Sequence, residues 1–422
     1  MAVKLPFGML SDAECWKQLP PVESFGEGAL PNWAKVVAKF APRTAAALLR
    51  LDFVQRTASP LPAALRAKLR WIIASVNRCA YTQAYAELDG KIAGVLPEAF
   101  TDLARGEEAW PAEERSALKF VWQLTVDAPQ TTDEQFAELV SQYGEKQTAA
   151  LVLLAAYGNF QDRLALVLGL PMEEAGPLPP MDVRFVRDPG ALVFPPHGKV
   201  AGDEEALSRP ATKMDNAWSD LPYDALQDRL ERQRNRQARL PVPTWDEVKA
   251  KLPPEYPADK PLAIVWMLIC LGYVPELAIP WSAMTRTFWG ESQQDRILEE
   301  SLFWIQTRTI RCNYCMGHCE MLLEVAGMDS PAIDRRLRQL ASGDWSAFPQ
   351  AEQVAYAFAR KITAEPWAIE ESDLQGLIKA HGETQAFYIA VWLCRGLYMT
   401  RVSDGFQLPL ERENVFAALF GD

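Results

Sequence analysis

The chain lacks both a long apolar run and an excess of basic residues. One apolar stretch, residues 262–274, could be mistaken for a membrane span, but it is shorter than the roughly 20 residues that such a helix needs. The formal net charge of the chain is −12, with 43 lysines and arginines against 55 acidic residues. Nucleic acids and anionic membranes favour basic surfaces, so we expect neither as a partner.

Cysteine is also sparse, and the number of cysteines is odd. There are seven, and three of them lie within residues 312–319, which is not the pattern of a secreted disulfide framework. The first residues contain a lysine and a proline where a signal peptide needs an apolar run. We therefore expect a reducing, cytoplasmic location.

Signals for β-strands are missing as well. Strict alternation of apolar and polar residues around a two-residue turn does not occur, whereas helix signals recur. Thr132 and Ser372 are placed to cap helices, and Gly144 and Gly382 are placed to end them. The sequence predicts an all-α fold.

The chain contains one pattern of residues twice. The matched pairs are 233 residues apart at first and 238 apart after a five-residue insertion; they include Trp71 with Trp304, Cys79 with Cys312, Gly144 with Gly382, Arg163 with Arg401 and Glu173 with Glu411. A register kept over about 150 residues indicates a tandem duplication. We predict helical domains at 1–175 and 244–422, joined by a Pro-rich linker at 176–243 with one solvated helix near 223–240. Arg163 and Arg401 are expected to be buried members of ion pairs rather than substrate clamps.

The second copy carries a cluster of reactive side chains. Cys312 and Cys315 are three residues apart, so on a helix the two thiols share one face at roughly 5–6 Å between Cβ atoms. His318 and Cys319 follow on that face, and Glu300 lies twelve residues before Cys312. A thiol pair with a base and a carboxylate can form a thiolate and cycle it through a disulfide.

The first copy keeps the surrounding pattern of residues but lacks these reactive side chains. Ala67, Thr82, Tyr85 and Ala86 stand at the positions of Glu300, Cys315, His318 and Cys319. Cys79 remains, but without a thiol at position 82 it has no partner for a local disulfide. The second copy is therefore the expected reactive one.

The motif Glu-x11-Cys-x2-Cys with a nearby histidine resembles the active site of the carboxymuconolactone decarboxylase and AhpD-like alkylhydroperoxidase superfamily. The resemblance covers both copies apart from the linker. It implies two fused AhpD-like helical bundles that assemble into homo-oligomers. It further implies that Cys315 is the attacking thiol, Cys312 the resolving thiol and Glu300 the carboxylate of a proton relay.

The relay histidine of that family falls at Cys319 here, one residue after His318. Both positions face Cys315 on a helix, so we expect His318 to take over the relay, with Cys319 as a third thiol being the alternative. Glu300 reaches the thiols only if the chain reverses direction between it and Cys312, because a continuous helix would separate them by about 18 Å.

The expected activity is that of a thiol-dependent peroxidase or thiol–disulfide oxidoreductase without metal or cofactor. Its substrate would be a hydroperoxide or a disulfide, and its reductant a protein or a dithiol, lipoyl groups included. Two alternatives stay open: a decarboxylase-like acid–base enzyme, and a non-catalytic redox-sensing or structural protein. A zinc site is disfavoured because ligands at i, i+3, i+6 and i+7 of one helix do not surround a metal tetrahedrally.

Overall fold

The computed structural model describes residues 6–23, 28–186, 223–254, 256 and 260–417. Over these residues the chain is helical and has no strand, which confirms the predicted all-α class. One isolated antiparallel bridge joins Val22 to Phe185. None of the described helices is both long and apolar enough to span a bilayer.

The helices fall into two series along the chain. The first series is α1 (Asp12–Gln18), α2 (Asn32–Phe40), α3 (Pro42–Thr57), α4 (Ala63–Val76), α5 (Ala80–Ile92), α6 (Pro97–Arg105), α7 (Arg115–Val126) and α8 (Asp133–Val167). Next come α9 (Tyr223–Arg234) and α10 (Trp245–Lys249). The second series is α11 (Val265–Tyr273), α12 (Pro275–Ser292), α13 (Arg296–Thr309), α14 (Asn313–Val325), α15 (Ser330–Ser342), α16 (Gln350–Ala364), α17 (Glu371–His381) and α18 (Glu383–Phe406).

Local sequence signals explain several helix ends. Thr132 caps α8 through the predicted side-chain bond to the Gln135 backbone N–H. Gly144 (φ 76°) breaks α8 internally, and Gly382 (φ 79°) separates α17 from α18. The predicted cap at Ser372 was wrong by two residues. Glu370 is the cap of α17, because its carboxylate and that of Asp373 satisfy the first backbone N–H groups reciprocally.

The same backbone conformations occur at positions that the sequence pairs. Arg78 and Arg311 both have left-handed backbones, with φ of 54° and 63°, directly before Cys79 and Cys312. The broken helices at Gly144 and Gly382 have nearly the same dihedral angles. Left-handed φ is uncommon for residues other than glycine, so its recurrence at the paired arginines indicates the same type of turn at both positions.

The two series pack through corresponding helices. Helix α3 packs on α12, and α8 packs on α18. The Trp281 indole stacks on the Tyr398 ring at 3.5 Å between centroids, and Phe160 contacts Trp281 edge-on at 5.3 Å. Buried apolar residues of both series form one continuous cluster. The Phe160–Trp281 contact therefore joins the two series, whereas the Trp281–Tyr398 stack lies within the second.

The predicted linker is described only at its ends, and residues 187–222 lie outside the described part of the chain. The helix expected near 223–240 is α9, which packs on α14. Its exposed side is polar, while Leu226 and Leu230 are fully buried. The Gln233 carbonyl also accepts a hydrogen bond of 3.1 Å from the Leu410 N–H. The linker thus contributes a helix that covers the second series.

Candidate functional site

The thiol motif begins at a sharp turn between α13 and α14. The Cys312 N–H donates to the Thr307 carbonyl at 2.9 Å, and the Arg311 N–H donates to the Arg308 carbonyl at 3.2 Å. With Arg311 in a left-handed conformation, this is a Schellman helix end. The two helices pack on each other, so the turn supplies the chain reversal that Glu300 needs.

Cys312 and Cys315 lie together at the start of α14. Cys312 is the N-cap residue and Cys315 belongs to the first turn. Both are free thiols, with 0% and 2% of their surface exposed. Burial, then hydrogen bonding to Cys315 and the charge of Asp404, raise the pKa of the Cys312 thiol well above its usual range. The two thiols therefore lie close together and are shielded from water.

Ser403 is a partner of Cys315 that the sequence analysis missed. The Cys315 sulfur lies 3.1 Å from the Ser403 Oγ. The Ser403 hydroxyl donates its only hydrogen to the Met399 carbonyl at 2.7 Å. Because that hydrogen is already used, the Cys315 thiol is the donor to Ser403.

Asp404, the residue after Ser403, was also missed. Asp404 lies next to Cys312, and burial raises the pKa of its carboxyl to about 7. The charge of Arg401 and a hydrogen bond from Cys312 act in the opposite direction. A signal for both residues was present in the sequence. At the 238-residue offset, Ser403 and Asp404 stand opposite Ala165 and Leu166, so they are polar in the reactive copy only.

Glu300 is fully buried beside the thiols. Burial raises its pKa to about 7, while the Arg296 and Arg395 guanidiniums and the Cys319 thiol act in the opposite direction. Arg296 Nη1 lies 3.5 Å from its Oε1. The pKa of Cys319 is raised by burial and then by the charges of Glu300 and Cys315. The structure thus brings Glu300, Cys315 and Cys319 together in one dry cluster.

His318 makes its contacts elsewhere. Its Nε2 lies 2.7 Å from the Glu411 Oε2, and its ring lies against Tyr314 and Phe416 at centroid distances of 4.2 and 4.8 Å. Glu411 also accepts hydrogen bonds from the Tyr314 hydroxyl at 2.9 Å and the Val265 N–H at 2.7 Å. Burial alone would raise the pKa of the Glu411 carboxyl. Its neighbours instead hold this pKa below its usual value, and the His318 ring makes the largest contribution among them.

The first copy contains the same carboxylate arrangement. Glu173 accepts a hydrogen bond of 2.9 Å from the Asn32 N–H and another from the Tyr81 hydroxyl. Tyr85, at the position of His318, lies 3.4 Å from Tyr81 between their hydroxyl oxygens. The bonds that Glu411 accepts from Val265 and Tyr314 therefore match those of Glu173 in a copy without the thiol pair, and a relay through His318 stays a prediction.

Polar groups around the Asp162 carboxyl fill the corresponding site in the first copy. The Thr82 hydroxyl donates to Asp162 Oδ1 at 2.6 Å, and the Asn77 amide donates to Asp162 Oδ2 at 2.8 Å. Cys79 is a free, buried thiol whose pKa burial raises to about 12. This copy holds one thiol where the second holds three.

No metal-binding arrangement of histidine, cysteine and acidic side chains occurs among the described residues. Arg163 and Arg401 are buried as expected. Within the described part of the chain, however, neither forms an ion pair, so the ion-pair expectation was wrong there. The arginines are taken up below.

The sequence matches no model of a known protein family and no curated protein. The resemblance to the AhpD-like superfamily therefore rests on the motif and its spacing.

Proposed function

We propose that the protein is an AhpD-like thiol–disulfide oxidoreductase that uses Cys312 and Cys315 to reduce hydroperoxides or the disulfide of a partner. The observation that carries this proposal is the placement of two buried, free thiols three residues apart at the start of α14, Cys312 as the N-cap and Cys315 in the first turn. A helix N-terminus stabilises negative charge and favours a reactive thiolate in its first turn. Cys315 occupies that turn.

The proposed reaction has three balanced steps. The Cys315 thiolate attacks a hydroperoxide oxygen, so that an S–O bond forms, the O–O bond breaks and the alcohol leaves after taking up a proton. The Cys312 sulfur then attacks the sulfenic acid, forming the disulfide and releasing water. A dithiol reductant finally exchanges with that disulfide, restores both thiols and leaves as a disulfide.

Ser403 would respond to the charge on Cys315. In the thiol form it accepts a hydrogen bond from Cys315. Once the thiolate forms, rotation of the Ser403 hydroxyl lets it donate to the sulfur instead. A hydrogen bond to a charged group is roughly twice as strong as a neutral one, so this exchange stabilises the reactive form.

Glu300 would hold and return the proton. A carboxyl whose pKa is about 7 is half protonated near neutral pH, which suits a group that must both take and give a proton. Its proximity to Cys319 supports a relay through that thiol. His318, in contact with Glu411, is the competing relay that the sequence pattern predicts.

The two helical series would be copies of one AhpD-like domain. The recurring left-handed turns at Arg78 and Arg311 and the matched pairs of packed helices support this proposal. A duplicated chain would bring two domains together as a homodimer does. We further propose a homo-oligomer in the cytoplasm.

Burial of the thiols favours one second candidate, a redox sensor. Cys312 and Cys315 are 0% and 2% exposed, so a substrate reaches them only when the surrounding helices move. A sensor would become oxidised once and would not turn over. An enzyme would consume many equivalents of peroxide in the presence of a dithiol.

The test is to treat the reduced protein with an organic hydroperoxide, with and without dihydrolipoamide, and to map disulfides by mass spectrometry. We expect a Cys312–Cys315 disulfide and repeated turnover with the dithiol. Cys315→Ser should abolish turnover, whereas Cys79→Ser, at the position matching Cys312 in the first copy, should leave it unchanged. Oxidation without turnover would favour the sensor, and a Cys312–Cys315 pair that stays reduced would contradict both.

A further inference from the structure

A cavity of about 370 Å³ lies between the two helical series. Its lining contains residues that correspond in the two copies, namely Thr125 with Thr363 and Arg163 with Arg401. Val126 and Trp367 also line it and are solvent-exposed, so the cavity is accessible from outside. Its volume is within the range of small-molecule sites.

Two buried guanidiniums line this cavity, and neither lies within ion-pair distance of a carboxylate among the described residues. Arg163 and Arg401 are each 3% exposed, and the Nε of each has no hydrogen-bond partner. Arg163 Nη1 donates to the Asn77 and Asn159 amide oxygens at 3.2 and 3.0 Å. Arg401 Nη2 donates to the Thr125 carbonyl at 3.0 Å. Their acceptors among the described residues are neutral.

The charge of the lining is positive. Arg311 is a third guanidinium, and Asp127 is the one carboxylate among the lining residues described. Arg311 Nη2 contacts both oxygens of Asp127 at 2.7 and 2.8 Å, so that carboxylate is already engaged. Burial and repulsion from Arg401 lower the pKa of Arg163 to about 9. Isolated buried charge is costly, and an anion between the two arginines would offset that cost.

We propose that this cavity binds a small dianion between Arg163 and Arg401. Guanidinium groups present planar pairs of N–H donors that match carboxylate and phosphate oxygens alike. The ligand class is therefore a phosphate-like oxyanion or a short dicarboxylate, and the two share the recognition chemistry. The proposal stands apart from the thiol chemistry, because it rests on a different set of side chains.

The site nevertheless lies beside the thiol pair. Arg401 acts electrostatically on both Asp404 and Cys312. A bound dianion would neutralise part of the Arg401 charge that now favours ionisation of these groups.

The test is isothermal titration of the reduced full-length protein with phosphate, sulfate and succinate, each at constant ionic strength against a chloride reference. We expect one saturable site per chain for at least one of the dianions. Arg163→Gln and Arg401→Gln should each weaken binding by about tenfold or more, because each removes one guanidinium. Arg105→Gln removes an exposed arginine and should leave binding unchanged.

Which of the three ligands bind identifies the chemical class of the anion. Binding of phosphate and sulfate but not succinate indicates a tetrahedral oxyanion, and the reverse indicates a dicarboxylate. Failure of all three to bind the wild-type protein more tightly than chloride would overturn the proposal whether or not the variants fold. Binding that survives both substitutions unchanged would overturn it as well.

Discussion

The Cys319 thiol lies beside the Glu300 carboxyl, and both side chains are fully excluded from solvent. This proximity places a thiol where the resemblance to AhpD-like proteins implies a relay histidine. His318, one residue earlier on α14, faces Glu411 instead. Two adjacent residues therefore have different surroundings. Cys319 lies on a candidate proton route with Glu300, whereas His318 makes a structural contact with Glu411.

The two relay hypotheses differ in which substitution slows the enzyme. We expect Cys319→Ala to lower peroxidase turnover by about 10²-fold, the scale of a positioned acid–base group. His318→Ala should act mainly on stability, because it removes one of the two closest partners of the mostly buried Glu411 carboxylate. Steady-state rates and urea unfolding of the two variants measure these effects. A large rate loss confined to His318→Ala would restore the relay predicted from the sequence.

Ser403 should matter for the first chemical step. Ser403→Ala removes the hydrogen bond between Ser403 and the Cys315 sulfur, so we expect thiolate formation to slow by about tenfold, corresponding to roughly 1.4 kcal/mol. Alanine fits a helix at this position, as Ala165 does in the first copy. Stopped-flow oxidation by peroxide measures the effect, and Ser403→Thr should recover much of the rate. An unchanged rate in Ser403→Ala would remove Ser403 from the mechanism.

The helical class and the thiol cluster were predictable because both depend on short spacings. A capping residue such as Thr132 acts within one turn, and the Cys312–Cys315 spacing places both thiols on one helical face. Ser403 and Asp404 were harder to find because they reach the thiols from 88 or more residues away. Their contrast with Ala165 and Leu166 was visible in the sequence, but only a residue-by-residue comparison of the copies reveals it.

His318 shows why spacing alone does not assign a role. On the helix it shares a face with Cys315, as the sequence predicts, yet its ring turns to Glu411 from the segment after α18. Glu411 was part of the matched pattern, but its partner was not encoded in any local spacing. Similarly, Arg163 and Arg401 were expected to pair with acids, whereas their acceptors are neutral. Arg163 donates to Asn159 on its own helix and to Asn77 at the end of α4, and Arg401 donates to the Thr125 carbonyl on α7.

Gly317 is required for the packing of the C-terminal segment on α14. A Cβ added there would lie 2.3 Å and 2.8 Å from the two terminal carbons of Leu410. We expect Gly317→Ala to lower the free energy of unfolding by about 1–3 kcal/mol, the usual cost of overpacking. Gly376 is also helical but has open space around it, so Gly376→Ala should raise stability by up to about 1 kcal/mol. Equal effects in urea unfolding would contradict this account of Gly317.

The buried carboxyls make stability depend on pH in an unusual direction. The folded protein raises the pKa of Glu300 from 4.5 to about 7 and that of Glu299 to about 8, chiefly through burial. The folded state thus holds protons that the unfolded state has already released. The stability that these groups contribute is complete below about pH 4.5 and falls as pH rises towards 8.

Glu300→Gln should flatten this dependence, because glutamine is neutral at every pH. Each pH unit between the two pKa values of a carboxyl corresponds to about 1.4 kcal/mol. Between pH 5 and pH 8 the variant should therefore lose on the order of 2–3 kcal/mol less stability than the wild-type protein. Urea unfolding at several pH values measures the two curves, and Glu98→Gln, at an exposed position, is the matched control. Parallel curves for wild type and Glu300→Gln would show that Glu300 is ionised in the folded state throughout this range, and would remove it as a proton-holding group.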